Sequence, residues 1–291
     1  MKPLLKWVGG KTQILDTVLQ MFPTTMNNYH EPFLGGGSVL LGLLSSSITV
    51  TGTLFASDIN PYTIALYDHV KRQPQEVITA LRRITSEFDA VTGSIVNRKP
   101  TTVAEGQTSK ESFYYWIRSR FNAASAQERC SPEGAARLLF LNKTCFRGVY
   151  REGPHGFNVP YGHYKNAQVY DEAHILAVSA AIQRVVFVCQ DFTSALSNVQ
   201  SGDFVYLDPP YVPETVTSFV GYTANGFSAH AELFARCQQL PAFLLSNADV
   251  TVVRQAFPES SFVTRVLSAR RAIHSKKPES RTNEVLITRR V

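Results

Sequence analysis

Short apolar runs and longer helical-period stretches take turns along most of this chain. Runs bounded by turn residues at 29–31, 53–57, 185–189, 204–207, 242–246, 261–266 and 284–288 predict β-strands. Stretches with apolar residues three and four apart, at 12–21, 38–45, 63–71, 174–182 and 229–238, predict helices. This alternation predicts an α/β fold, a doubly wound sheet with helices on both faces. Residues 73–165 interrupt it. There 74–88, 112–122 and 131–142 have helical spacing, and 148–164, rich in Gly and Pro, predicts a hairpin or extended loop. The polar stretch 91–109 predicts a mobile loop. The expected organisation is one domain from 1–72 and 166–291, with an inserted, mainly helical lobe at 73–165.

The strand at 204–207 ends in Asp208-Pro209-Pro210-Tyr211. In open α/β sheets ligands bind at the carboxyl ends of strands. Asp208 can accept a hydrogen bond from an amino group, and the free carbonyl of Pro209 can accept a second. Tyr211 offers a flat face, so its ring carries the expected function and its hydroxyl does not. Two acceptors and a stacking ring suit the exocyclic amine of a nucleobase; alone, the tetrapeptide also fits a proline-rich turn. Glu31-Pro32-Phe33-Leu34-Gly35-Gly36-Gly37-Ser38 reads as a strand end, a glycine turn and a helix start, and it lacks the dinucleotide pattern G-x-G-x-x-G. About twenty residues on, Asp58 suits ribose hydroxyls or a helix N-cap, a role that Asn60 before Pro61 can share. Leu5-Lys6-Trp7-Val8-Gly9-Gly10-Lys11 is a glycine turn without P-loop spacing.

Formal net charge is +6 over 291 residues, a balance that suits a polyanionic partner. Cys130, Cys145, Cys189 and Cys237 form no metal pattern, so no structural metal is expected and a reducing, intracellular compartment is. Cys189, in an apolar run, is expected to be a buried small hydrophobe. No apolar run approaches the ~20 residues of a membrane span, and Met1-Lys2-Pro3 leads into a motif rather than a signal peptide. Lys143 to Arg151 sets Arg147 and Arg151 among Phe146 and Tyr150; Asn158, His163, Tyr164 and Lys165 follow. Arg can grip guanine and Lys can hold phosphate, although a solvated basic hairpin has the same composition. The basic run 265–281 suits a phosphate-contacting loop or an ordinary surface equally.

Taken in order, Lys6 to Lys11, Glu31 to Ser38, Ala56-Ser57-Asp58-Ile59-Asn60 and Asp208 to Tyr211 resemble the motifs of the DNA adenine methylase (Dam) family, N6-adenine methyltransferases of the alpha group. Phe113 to Arg118, Phe140 to Lys143, Phe157 to Gly162 and Leu244 to Asn247 match as well, so the resemblance spans nearly the whole chain. It implies a Rossmann-like S-adenosylmethionine-dependent methyltransferase sheet, with the inserted lobe as target-recognition domain. The implied function is methyl transfer from S-adenosyl-L-methionine to N6 of a flipped adenine in double-stranded DNA. By resemblance Asp208, Pro209, Pro210 and Tyr211 are catalytic. Trp7, Lys11, Glu31, Phe33, Gly35, Asp58, Ile59 and Asp208 hold the cofactor, with Asp191 and Phe192 flanking its adenine. Lys6, Arg147, Tyr150, Arg151, Asn158, Pro160, Tyr164 and Lys165 would contact DNA. Relatives commonly act on GATC, but Phe146-Arg147-Gly148 departs from their usual aromatic-Asn-Gly, leaving other GAT-containing sites open. A monomer, with a possible partner restriction endonuclease, is expected. An RNA or protein N-methyltransferase, or an inactive DNA-binding homologue, are the alternatives.

Overall fold

The computed structural model describes residues 1–165, 168–213, 227–270 and 281–290. Seven strands form its main sheet: β1 (Tyr29–Glu31), β2 (Leu54–Asp58), β3 (Val185–Cys189), β4 (Phe204–Leu207), β5 (Phe243–Ala248), β6 (Phe262–Arg270) and β7 (Arg281–Arg289). Their spatial order is β3-β2-β1-β4-β5-β7-β6. The first five are parallel; β7 runs antiparallel to both β5 and β6. The protein is thus a mixed α/β fold around a mostly parallel sheet. β4 and β5 are buried along their whole length, which is why β4 reads as a continuous apolar run rather than an alternating one. β3 is an edge strand. That corrects the expectation for Cys189, which is exposed because an edge has no neighbour on one side.

Two compact units divide the chain: Met1–Lys2, Lys11–Ile59 and Arg184–Val291 form one, and Pro3–Gly10 and Asn60–Gln183 the other. In the sheet unit Val205, Leu207, Phe243, Leu245, Val285 and Ile287 pack with Leu233, Phe234 and Val253 of two covering helices and with Phe257, which follows the second. The helix expected at 12–21 is broken. A 3-10 turn at Lys11–Gln13 precedes a helix at Leu15–Leu19, with Ile14 between them at φ −119°. Lys11 is buried and its amide donates to Ser38 Oγ at 3.1 Å, so tertiary contacts set this turn.

The second unit is mainly helical: Pro61–Arg72, Pro74–Ala90, Lys110–Ala123, Pro132–Thr144 and Glu172–Ala181 are its longer helices. Asn60 and Ser131 cap two of them, each before a proline in the first turn, where a missing N–H costs nothing. Val77, Ile78, Leu81, Ile84 and Phe88 make a buried stripe, and the Phe88 ring packs edge-on against Phe140 at 5.3 Å. The polar 91–109 segment differs from a bare loop. It holds a helical turn at Val103–Gly106, and it is tied to the next helix by Asn97 N to Ser112 Oγ at 2.8 Å and by the Arg98–Glu111 ion pair at 2.7 Å. No helix among the described residues is long and apolar enough to cross a membrane.

Candidate functional site

β1 and β4 are neighbours in space, Tyr29 and His30 pairing with Phe204 and Val205, although they are distant in sequence, because the strand order reverses between them. Such a reversal opens a crevice beyond the carboxyl ends of the strands. Glu31 ends β1, Asp58 ends β2, and Asp208 follows β4, so three carboxylates come to one edge.

Lys11 is the cation among them. Its Nζ lies 2.8 Å from Asp208 Oδ1, and it is only 3% exposed. Burial works against its charge, but Asp208, Tyr206 and Glu284 together hold its pKa above the ordinary value. Burial pushes the Asp208 carboxyl up to about 6 against the pull of Lys11. Glu31 is pushed further, to about 8, by burial and by the charges of Asp208 and Asp58, although the Tyr29 hydroxyl donates to it at 2.7 Å. Even with Glu31 protonated, Asp58 and Asp208 outnumber the one lysine, so the edge is short of positive charge.

The glycine turn wraps around Asp58. Gly35 donates its N–H to Asp58 Oδ2 at 2.8 Å with φ +49°, and Gly37 caps the following Ser38–Leu43 helix at φ +72°. Both angles favour glycine. Asn60, rather than Asp58, caps the next helix, accepting from the Tyr62 and Thr63 amides. Ile59 is 58% exposed. Asp191 caps the short Phe192–Leu196 helix, and the Phe192 ring stacks on Phe33 at 5.7 Å. A cavity of about 220 Å³ lies beside this edge, lined by His30, Glu31, Pro32, Phe55, Ser57, Gln190, Ala195 and Asn198.

Tyr211 departs from expectation. Its hydroxyl is not spare: it lies 2.6 Å from Ser246 Oγ and 3.0 Å from Glu284 Oε2, and Lys11 Nζ sits 5.0 Å from its ring centre. Val212 N donates to Asn247 Oδ1 at 3.0 Å. Sequence reasoning missed Glu284 altogether and gave Ser246 and Asn247 no task. The available signal was polar residues at strand positions otherwise filled by Leu, Val and Ile.

The helical unit gathers the remaining candidates. Trp7, expected among the cofactor residues, belongs here and stacks on Tyr150 at 5.3 Å. Tyr150 is buried with its hydroxyl on Glu152, so it supports Trp7 instead of facing solvent. Buried Asn142 grips Lys6 on both sides, accepting from its N–H at 2.7 Å and donating to its carbonyl at 2.9 Å. The Lys6 Nζ lies over the Tyr164 ring. Arg151 Nε donates to Asn158 Oδ1 at 2.6 Å across the Glu152–Gly153/Gly156–Phe157 hairpin. Arg147 is exposed, with its guanidinium over the Phe146 ring and φ +57°. Pro160 and Lys165 are exposed, and the Pro160 carbonyl accepts from Phe146 N. In the basic 265–281 run, Arg271, Lys276 and Lys277 lie outside the described residues.

The chain resembles known proteins over most of its length. It is 36% identical to the Type II methyltransferase M.MjaIII of Methanocaldococcus jannaschii over 234 residues, 78% of this chain and 75% of that protein. It is 30% identical to the DNA adenine methylase of Haemophilus influenzae, covering 96% and 90% of the two chains. It is also 30% identical to the Retron Ec67 DNA adenine methylase of Escherichia coli, covering 99% and 90%. The model of the D12 class N6 adenine-specific DNA methyltransferases matches residues 7–273, nearly the whole chain, and the protein belongs to that family.

Proposed function

We propose that this adenine-specific DNA methyltransferase takes its methyl group from S-adenosylmethionine and places it on N6 of an adenine flipped out of double-stranded DNA. The single observation that carries the reading is the cluster of Lys11, Asp208 and Tyr211 at the switch point of the sheet. Its chemistry fits the cofactor. An edge with Glu31, Asp58 and Asp208 against one lysine suits a ligand bearing a sulfonium and an ammonium group. Glu31, Phe33, Gly35, Asp58, Ile59, Asp191 and Phe192 would hold it, with Lys11. When bound, S-adenosylmethionine supplies an electrophilic methyl on sulfur.

The protein's own residues do the rest. N6 of adenine is a poor nucleophile because its lone pair is conjugated with the ring. Asp208 and the Pro209 carbonyl accept its two hydrogens, which favours a tetrahedral nitrogen and aims the lone pair. A carboxylate has two oxygens, so Asp208 can keep Lys11 on Oδ1 and still accept from N6. Rate acceleration then comes from orientation and charge placement. Extruding the base costs a few kcal/mol, and stacking on Tyr211 returns part of that.

Target recognition is assigned to the helical unit, broadly the 73–165 insert. Exposed Arg147, the Arg151–Asn158 pair, Lys6 and Lys165 supply its cations and hydrogen-bonding groups. The target is GATC or a related GAT-containing site. The M.MjaIII relative is named a type II methyltransferase, which extends the proposal to a restriction–modification setting with a separate endonuclease reading the same site.

Methylating a random-sequence duplex library in vitro, then sequencing it at single-base resolution, tests the whole reading. N6-methyladenine within one GAT-containing motif, dependent on added S-adenosylmethionine, is expected. Methylation scattered over adenines without a motif, or confined to sites lacking GAT, would overturn the assigned specificity.

A further inference from the structure

The segment after β4 is not held by β4. A phenol has one proton and a carboxylate has none, so the Tyr211 hydroxyl donates to Glu284 Oε2 at 3.0 Å and accepts from Ser246 Oγ at 2.6 Å. Asn247 Oδ1 takes the next backbone N–H, that of Val212, at 3.0 Å. Ser246 and Asn247 are fully buried at the end of β5, and Glu284 stands opposite Ala248 near the start of β7. The ring and the main chain are therefore fastened to two neighbouring strands.

Glu284 sits at the polar end of β7, directly before the buried run Val285, Leu286 and Ile287. Its charge opposes that of Asp208. Like charges brought together in a half-buried site are unfavourable. What a carboxylate offers here in return is a short, directional, charge-assisted hydrogen bond to the phenol.

We infer that Glu284 is a positioning residue for methyl transfer: by accepting the Tyr211 hydroxyl proton it fixes the plane of the ring on which the target adenine stacks. This rests on the stacking role proposed above for Tyr211. The phenol hydroxyl thereby gains a task, and Tyr211→Phe becomes a damaging change instead of a silent one.

The test compares Glu284→Ala, Glu284→Gln, Tyr211→Phe and the double variant Tyr211→Phe/Glu284→Ala. Three quantities are read: kcat, S-adenosylmethionine affinity by titration, and the fluorescence of 2-aminopurine placed at the target adenine of a DNA duplex. Glu284→Ala should lower kcat about tenfold or more, alter the 2-aminopurine signal and leave cofactor affinity unchanged. Glu284→Gln should restore most of the rate, because its carbonyl oxygen can accept the same proton. Tyr211→Phe should match Glu284→Ala, and the double variant should be no worse than either. Losses that multiply in the double variant, or a Glu284→Ala enzyme with more than half the normal kcat, would overturn the inference. Should Glu284→Ala fail to fold, Ser246→Ala is compared with Tyr211→Phe by the same criteria. Tyr211→Ala separates the two readings. If it keeps full activity, the stacking role fails; if it is inactive while Glu284→Ala is normal, only the positioning role fails.

Discussion

Glu31→Gln isolates the electrostatic state of the site. Burial and two neighbouring carboxylates raise the Glu31 carboxyl from 4.5 to about 8 in the folded protein. Between those values the folded chain holds a proton that the unfolded chain releases, so wild-type stability falls as pH rises through the window. A tenfold change in proton affinity corresponds to about 1.4 kcal/mol, which makes the whole decline on the order of 3–5 kcal/mol. The Glu31→Gln variant would have no proton to lose, and its side-chain oxygen can still accept from the Tyr29 hydroxyl. That variant should match wild type near pH 4.5 and become progressively more stable relative to it up to about pH 8. Urea unfolding, followed at half-unit steps from about pH 5 to about 8.5, measures this directly. Parallel stability curves for the two proteins would refute the assigned burial cost. The same reasoning reaches the cofactor. A cationic ligand at this edge favours ionised Glu31, so S-adenosylmethionine binding near neutral pH should release a proton, seen as a buffer-dependent binding heat. Glu31→Gln should abolish that dependence.

Other consequences are more local. In the proposed mechanism ionised Asp208 accepts from N6, so kcat at saturating cofactor should fall on the acid side near pH 6; Lys11→Met removes the charge that opposes protonation and should move that limb to higher pH. Arg147 occupies a left-handed backbone position that Asn tolerates better. Arg147→Asn should therefore raise stability by up to about 1 kcal/mol while weakening DNA binding, with the salt slope reduced by about one for a phosphate contact. Arg151→Ala should lower discrimination between the target and single-base variants by about 1–3 kcal/mol, measured as a ratio of kcat/KM values; an equal loss on every DNA would make it a phosphate contact instead.

How much of this was legible depended on where each residue sits in the sheet. β4 could be read directly, because a central strand is apolar at every position and its end is marked by Asp208 and two prolines. Asp58 could be read in the same way, since it closes the run Leu54-Phe55-Ala56-Ser57, whereas Glu31 follows Tyr29-His30 and its role came only from the family resemblance. Edge strands are less informative. Cys189 sits in a run as apolar as that of β4, yet lies at the sheet margin and is exposed. Glu284 was invisible because its meaning depends on antiparallel register: only the pairing of β7 with β5 sets it opposite Ala248, two residues along from Ser246, and so within reach of Tyr211. Tyr150 misled for a related reason. An aromatic in a basic stretch suits base contact, and only packing shows its ring spent on Trp7.

The site owes its geometry to a division of labour within strands. In β5, Phe243 and Leu245 enter the core while Ser246 and Asn247, on the same rigid element, anchor the residues that follow Asp208 and its prolines. In β7, Val285 and Ile287 do the packing and Glu284 the anchoring. The loop proposed to present an acceptor and a flat ring to the base is thus referenced to strands whose positions the hydrophobic core determines. Holding reactive groups on such elements is what makes orientation an effective source of rate, since errors of about 1 Å are costly. The same arrangement accounts for the buried polar groups at the carboxyl edge. Ser246 and the Asn247 carbonyl are tolerable inside the protein because each is satisfied by the segment it holds, so a loss of that segment's position exposes them as well. Stability and alignment are in this sense coupled through the same hydrogen bonds.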